Sequence, residues 1–79
     1  MEFMMDDFIE VLLAATPNVD YKKEKHLVDD GIIDSLDIVS IISELSDAYD
    51  LNIPPEEIKP ENFNSAEAMK ALVDRLTED

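Results

Sequence analysis

Asp34-Ser35-Leu36-Asp37-Ile38-Val39-Ser40-Ile41-Ile42-Ser43-Glu44-Leu45-Ser46-Asp47-Ala48-Tyr49 is the stretch whose reading decides the fold. At about 100° per residue, its apolar side chains gather on one arc. Ile38, Ile41, Ile42, Leu45, Ala48 and Tyr49 share that arc, while Leu36, Ser40, Ser43 and Asp47 share the other. Asp34 is a residue type that caps helices, because its carboxylate can accept an orphan amide of the first turn. Asp37, three residues on, can return the favour from its own side chain as the partner of a capping box. The pattern predicts an amphipathic helix that starts after Asp34 and ends near Asp50.

The flanking segments read the same way. From about Phe3 to Ala15, Met4, Met5, Phe8, Ile9, Val11, Leu12 and Ala15 keep helical spacing, with Asp6, Asp7 and Glu10 opposite. Thr16-Pro17-Asn18 ends that helix, since proline lacks the amide hydrogen and disfavours helix in the residue before it. Residues 18–33 are a long connection holding Lys22, Lys23, Lys25 and the only glycine, Gly31, with room for one helical turn around Glu24 to Val28. After Asp50 the chain is expected to extend through Ile53-Pro54, and Pro55 suits the first turn of a short helix through about Lys59. Asn64 and Ser65 are alternative caps for a last helix in which Met69, Leu72, Val73 and Leu76 repeat at helical spacing. No segment alternates with period two. The expected fold is all-α: a small four-helix bundle of three principal helices plus one short helix, in a single domain over residues 1–79.

Composition narrows the function. The chain has 79 residues, 20 Asp plus Glu, 6 Lys plus Arg, a net charge of −14 and no cysteine. Its 46% apolar content is that of a folded globule rather than a disordered acidic segment. The charge is even, with ten acids and three bases in residues 1–40 and again in residues 41–79. Such a surface repels nucleic acid and anionic lipid, and favours basic protein partners. The absence of cysteine removes disulfides, thiolate metal sites and a catalytic thiol, and fits a reducing, cytoplasmic setting. The acidic start, Met1-Glu2-Phe3-Met4-Met5-Asp6-Asp7, lacks the positive charge of a signal peptide, so none is expected. The longest apolar run, Val11 to Ala15, is too short for stable membrane insertion.

Few residues suggest chemistry. Leu36 is a large apolar side chain on the polar arc; a lone exposed leucine is ordinary surface, but one at a helix start can also be a contact. Ser35 is a common residue near helix starts, yet a hydroxyl there is exposed beside free amides and a dipole that favours attached negative charge. Four carboxylates, Asp29, Asp30, Asp34 and Asp37, oppose that charge. Ser35 as a nucleophile would need an oriented base, and the only histidine, His26, lies in the loop. Placing Gly31 at the sixth position of a calcium loop puts His26 at the first, which is not an oxygen donor. No phosphate loop, dinucleotide fingerprint or zinc spacing is present. No catalytic residue and no metal ligand is assigned, and the chain does not read as an enzyme.

Gly31-Ile32-Ile33-Asp34-Ser35-Leu36-Asp37 leading into an amphipathic helix resembles the acyl carrier protein family. The likeness extends through Tyr49-Asp50, Ile53-Pro54 and Phe63-Asn64-Ser65, from about Leu27 to Leu76, and is only general in the first helix. The Asp-Ser-Leu tripeptide alone is a weak signal; the length, acidity and surrounding pattern carry the resemblance. It implies that Ser35, flanked by Asp34 and Leu36, carries 4'-phosphopantetheine. A separate phosphopantetheinyl transferase would deliver the group from coenzyme A with Mg²⁺. The arm's thiol would hold acyl or aminoacyl cargo as a thioester, so thiol chemistry enters a protein without cysteine. Partners would be acyl- or aminoacyl-activating enzymes, acyltransferases and synthases with basic docking surfaces, meeting a monomer along the helix at Leu36, Asp37, Ser40, Ser43, Glu44 and Asp47. Ile38, Ile42, Leu45, Ile53, Ile58, Phe63 and Met69 would form the core that could part around an acyl chain.

One departure bears on the pathway. Members serving fatty acid biosynthesis are rich in Glu along the exposed face, where this chain has Ser40, Ser43 and Ser46. That favours a specialised carrier in secondary-metabolite, lipid-modification or aminoacyl metabolism, D-alanyl carriers included, over a housekeeping one. The alternative from another class is an acidic helical module that binds a basic partner and has no use for Ser35.

Overall fold

A computed structural model of the chain describes residues 4–77. Four α-helices follow one another: α1 Met5–Ala15, α2 Ser35–Tyr49, α3 Pro60–Phe63 and α4 Ala66–Thr77, with a 3-10 turn at Pro55–Glu57. Among the described residues there is no strand. Helix α1 packs on α2 and α4, and α3 packs on α4. This is the all-α bundle that the periodicities predict. Phe3, the expected start of the first helix, lies outside the described residues.

The core is made from the apolar arcs of the three long helices and from side chains in the loops. Phe8, Leu12, Leu27, Ile41, Leu45, Phe63, Met69, Leu72 and Val73 are fully buried. The Phe8 and Tyr49 rings stack at 5.8 Å and fasten the start of α1 to the end of α2. Burying such side chains is the main favourable contribution to a domain of this size, at about 1.5–3 kcal/mol each. The buried polar group Thr16, just past α1, donates its hydroxyl to Leu12 O at 3.1 Å and is hydrogen-bonded to the buried Tyr21 hydroxyl. That pairing lets a tyrosine enter the core without an orphaned polar atom.

Three local expectations are corrected. The short helix is not at Pro55 to Lys59. Pro55 does open a turn, but Ile58 N closes it on Pro55 O as a 3-10 bond, and Lys59 is extended with φ −142° and ψ 153°. Pro60 disfavours helix at Lys59 and is itself suited to the first helical position, so the chain restarts there as α3. The loop of residues 18–33 has no helical turn at Glu24 to Val28. It has two separate turns, closed by Glu24 N on Asp20 O and Asp30 N on His26 O, and the second ends at Gly31 with φ 70°. Ala48, expected on the inner arc, is exposed.

The caps follow local chemistry. Asp34 and Asp37 form the predicted capping box at α2, and Asp50 ends that helix in the left-handed region at φ 52°. Of the two candidates at α4, Ser65 is the cap, its Oγ accepting from Ala68 N at 3.1 Å. Asn62, half of whose amide reaches back to Glu57 O at 2.8 Å and Glu57 Oε1 at 3.1 Å, ties α3 to the 3-10 turn. No helix among the described residues is long and apolar enough to cross a membrane.

Candidate functional site

Ser35 is the first residue of α2 and is exposed. Its position is set by the residue before it. Asp34 is extended at φ −112° and ψ −172°, its Oδ1 accepts from Asp37 N at 2.9 Å, and Asp37 Oδ2 accepts from Asp34 N at 3.1 Å. The two bonds close the chain around Ser35 and Leu36, fixing where the helix begins. A serine hydroxyl there projects from a rigid helix start, with first-turn amides that have no partner inside the helix. A phosphate ester on that oxygen meets favourable dipole charge. The helix start thus suits a phosphate-linked group, with the Asp34 and Asp37 carboxylates, both engaged in the capping box, as the charges that oppose it.

The face that continues from Ser35 is more apolar than acidic. Leu36 is 77% exposed and Val39 is 63% exposed, with Ser40, Ser43 and Asp47 exposed alongside. Val39 was not among the residues singled out from the sequence; its spacing of three from Leu36 and four from Ser43 was the available signal. Asp37 and Glu44 are half-buried, so Asp47 is the only exposed acid among those assigned to docking. Asp37 also differs in role: its carboxylate is used inside the capping box rather than held out toward a partner. It borders a groove of about 250 Å³ between residues 15–19 and Ile32. Further along α2, Ser43, Ser46 and Asp47 join Asp50, Leu51 and Asn52 around a polar depression of about 420 Å³.

Behind this face the structure sorts the expected core. Leu45, Ile53, Phe63 and Met69 are buried, and Ile38 and Ile42 are half-buried against them. Ile58 is 43% exposed and does not belong to that core. It sits at the end of the 3-10 turn, while Ile53 and Phe63 take the inward positions on either side. Burial pushes the Tyr21 hydroxyl above its ordinary pKa; the Thr16 hydrogen bond pulls the other way, and the negative charge of Asp37 adds to the rise. Burial likewise raises Tyr49, helped by Asp7. His26 is exposed, and among the described residues no group of three or more His, Asp or Glu side chains is placed to hold a metal ion.

Comparison with known proteins identifies relatives of the chain as a whole. The chain is 30% identical to a D-alanyl carrier protein of Lactococcus lactis subsp. cremoris over 79 residues, which is 100% of this chain and 99% of that one. It is 32% identical over 73 residues to a D-alanyl carrier protein of Lactococcus lactis subsp. lactis, covering 92% and 91% of the two chains. It is also 36% identical over 63 residues to aminoacyl carrier protein 2 of Bradyrhizobium diazoefficiens, covering 80% of this chain and 70% of that one. No family model and no solved structure matches. An all-helical bundle with Asp-Ser-Leu at the capped start of its long amphipathic helix, matched over its whole length by a D-alanyl carrier protein and over 80% of it by an aminoacyl carrier protein, belongs to the carrier protein family that includes both.

Proposed function

We propose that this carrier protein holds an aminoacyl or acyl group on a 4'-phosphopantetheine arm attached to Ser35 Oγ, and presents it to partner enzymes as a single monomeric domain. The observation that supports the attachment point is the exposed Ser35 hydroxyl at a helix start fixed by the Asp34 and Asp37 capping box. When attached, the arm supplies a thiol on which the cargo rides as a thioester. The chain's own contribution is presentation. Asp34 and Asp37 hold the helix start, Ser35 provides the oxygen, and Leu36 and Val39 offer an apolar contact beside it. The bundle keeps that face rigid while partners exchange, and no residue of this chain is assigned a catalytic step.

We favour an aminoacyl cargo over a long acyl chain. The relatives named above are D-alanyl and aminoacyl carriers, and Leu45, Phe63 and Met69 fill the centre of the bundle at full burial. Of the acids assigned to docking only Asp47 is exposed, while Leu36 and Val39 are 77% and 63% exposed, so partners engage this face through Leu36, Val39 and hydroxyls more than through charge. Partners are a phosphopantetheinyl transferase, an amino acid or acyl activating enzyme, and an acceptor transferase.

The test is intact mass after incubation with coenzyme A, Mg²⁺ and a broad-specificity phosphopantetheinyl transferase. The wild-type chain gains one phosphopantetheine mass and Ser35→Ala gains none. An unmodified wild type beside a modified control carrier refutes the proposal. In that event, binding of a basic protein that survives Ser35→Ala and is lost on charge reversal at Asp47 identifies an acidic interaction module instead.

A further inference from the structure

Ser35 follows a loop whose shape is held from the junction of α3 and α4. Asn64, at the junction of α3 and α4, uses its main-chain carbonyl and both ends of its side-chain amide on residues 27–29. Its carbonyl accepts from Leu27 N at 2.9 Å. Its Oδ1 accepts from Val28 N at 3.0 Å and Asp29 N at 3.1 Å, and its Nδ2 donates to Asp29 Oδ2 at 3.1 Å. Only this orientation of the amide is satisfied: turned over, Nδ2 faces two N–H donors and Oδ1 faces a carboxylate. Next along the chain, Leu27 O accepts from Ile32 N at 2.8 Å and Ile33 N at 3.1 Å. Leu27 and Ile33 are buried, and Ile33 immediately precedes the capping box. Lys25 adds a two-pronged bridge to Glu67 at 2.8 and 2.9 Å beside the same junction. Hydrogen bonds therefore run unbroken from Asn64 to the residue before Asp34.

We propose that Asn64 is a positioning residue for Ser35. Its bonds to residues 27–29 hold the loop in the one arrangement that presents the serine to the modifying transferase. The inference rests on Ser35 being the attachment point. Release of the Asn64 contacts lets the loop sample other arrangements, and the modification rate falls with the fraction of molecules in the competent one. The bond to Asp29 is charge-assisted, so it is the Asn64 contact most sensitive to a change of charge at residue 64 or 29.

The decisive variants exchange the two partners in the full chain. Asn64→Asp sets two carboxylates against each other, and the Asp29→Asn, Asn64→Asp double variant restores a donor facing an acceptor at unchanged net charge. Modification kinetics are read by mass, and amide exchange by NMR, both well below the melting temperature. Asn64→Asp is expected to lower kcat/KM for Ser35 modification roughly tenfold. The Val28, Asp29, Ile32 and Ile33 amides should exchange faster while the amides of α4 keep their protection. The double variant should recover to within about twofold of wild type. If Asn64→Asp does not fold, Asp29→Ala keeps the Asn64 acceptor and should show an intermediate slowing with the same exchange pattern. A modification rate unchanged in a variant whose loop amides exchange faster overturns the proposal, as does a double variant no better than Asn64→Asp. Failure of the wild type to take the group overturns the Ser35 assignment itself, and the role of Asn64 with it.

Discussion

Asp34→Ala tests the physical link between the helix start and the modification site. The substitution removes the Oδ1 acceptor that lies 2.9 Å from Asp37 N, while leaving the main-chain amide of residue 34 within reach of Asp37 Oδ2. Losing a capping side chain costs about 1 kcal/mol, within a range of about 0.5–2. The lost carboxylate also gives up a favourable interaction with the helix dipole of about 0.3–1 kcal/mol. Against these stands relief of self-repulsion in a chain of net charge −14, so the dipole contribution is largely offset. The expected net loss is therefore about 1 kcal/mol, or about 4–8 °C in Tm for a domain of this size. Asp34→Ser, which keeps a capping oxygen without the charge, should lie within about 0.5 kcal/mol of wild type. Thermal and urea unfolding followed by circular dichroism give the stabilities, and modification of Ser35 gives the functional readout. The Ala variant should be modified more slowly than the Ser variant because its first turn frays. Equal stability of wild type and Asp34→Ala, or equal loss in the Ala and Ser variants, would refute the reasoning.

Three further outcomes follow from the same structure. The raised pKa of Tyr21 means that the folded state favours the neutral phenol, so its contribution is complete below the unfolded value of about 10 and is lost as pH rises through the higher folded value. The stability difference between wild type and Tyr21→Phe should narrow above about pH 10, and a difference constant from neutral to alkaline pH counts against it. Asp50 ends α2 at φ 52° and places a negative charge at the negative end of the helix dipole. Asp50→Gly should raise stability by about 0.5–1 kcal/mol in urea unfolding, and a loss of stability would show that the aspartate makes a compensating contact. Finally, the uniform acidity predicts that Tm rises as salt shortens the screening length from about 30 Å at 0.01 M to about 8 Å at 0.15 M. A flat or falling melting curve series over that range sinks this expectation.

What could be read from the sequence alone was whatever depends on neighbours a few residues apart. Asp34 and Asp37 are separated by three positions, so their capping box is legible in the sequence, and so is the outward placing of Leu36, Ser40 and Ser43. Helical periodicity likewise identified the arcs that bury Phe8, Leu12, Ile41, Leu45, Leu72 and Val73. Ile58 and Ala48 mark the limit of that method, because periodicity names an apolar arc but not how much of it a neighbouring helix covers. The sequence does not locate the short helix because Pro55 and Pro60 are both good helix starts, and the extended Lys59 between them decides which one continues. Only tertiary structure could separate the two candidate caps, Asn64 and Ser65. Ser65 caps α4 through a contact three residues away. Asn64 instead reaches residues 35 and 36 positions distant, on the loop that ends at Ser35. A side-chain amide serves a local cap and a remote backbone equally well, and the choice falls to whichever donors packing brings within 3.1 Å.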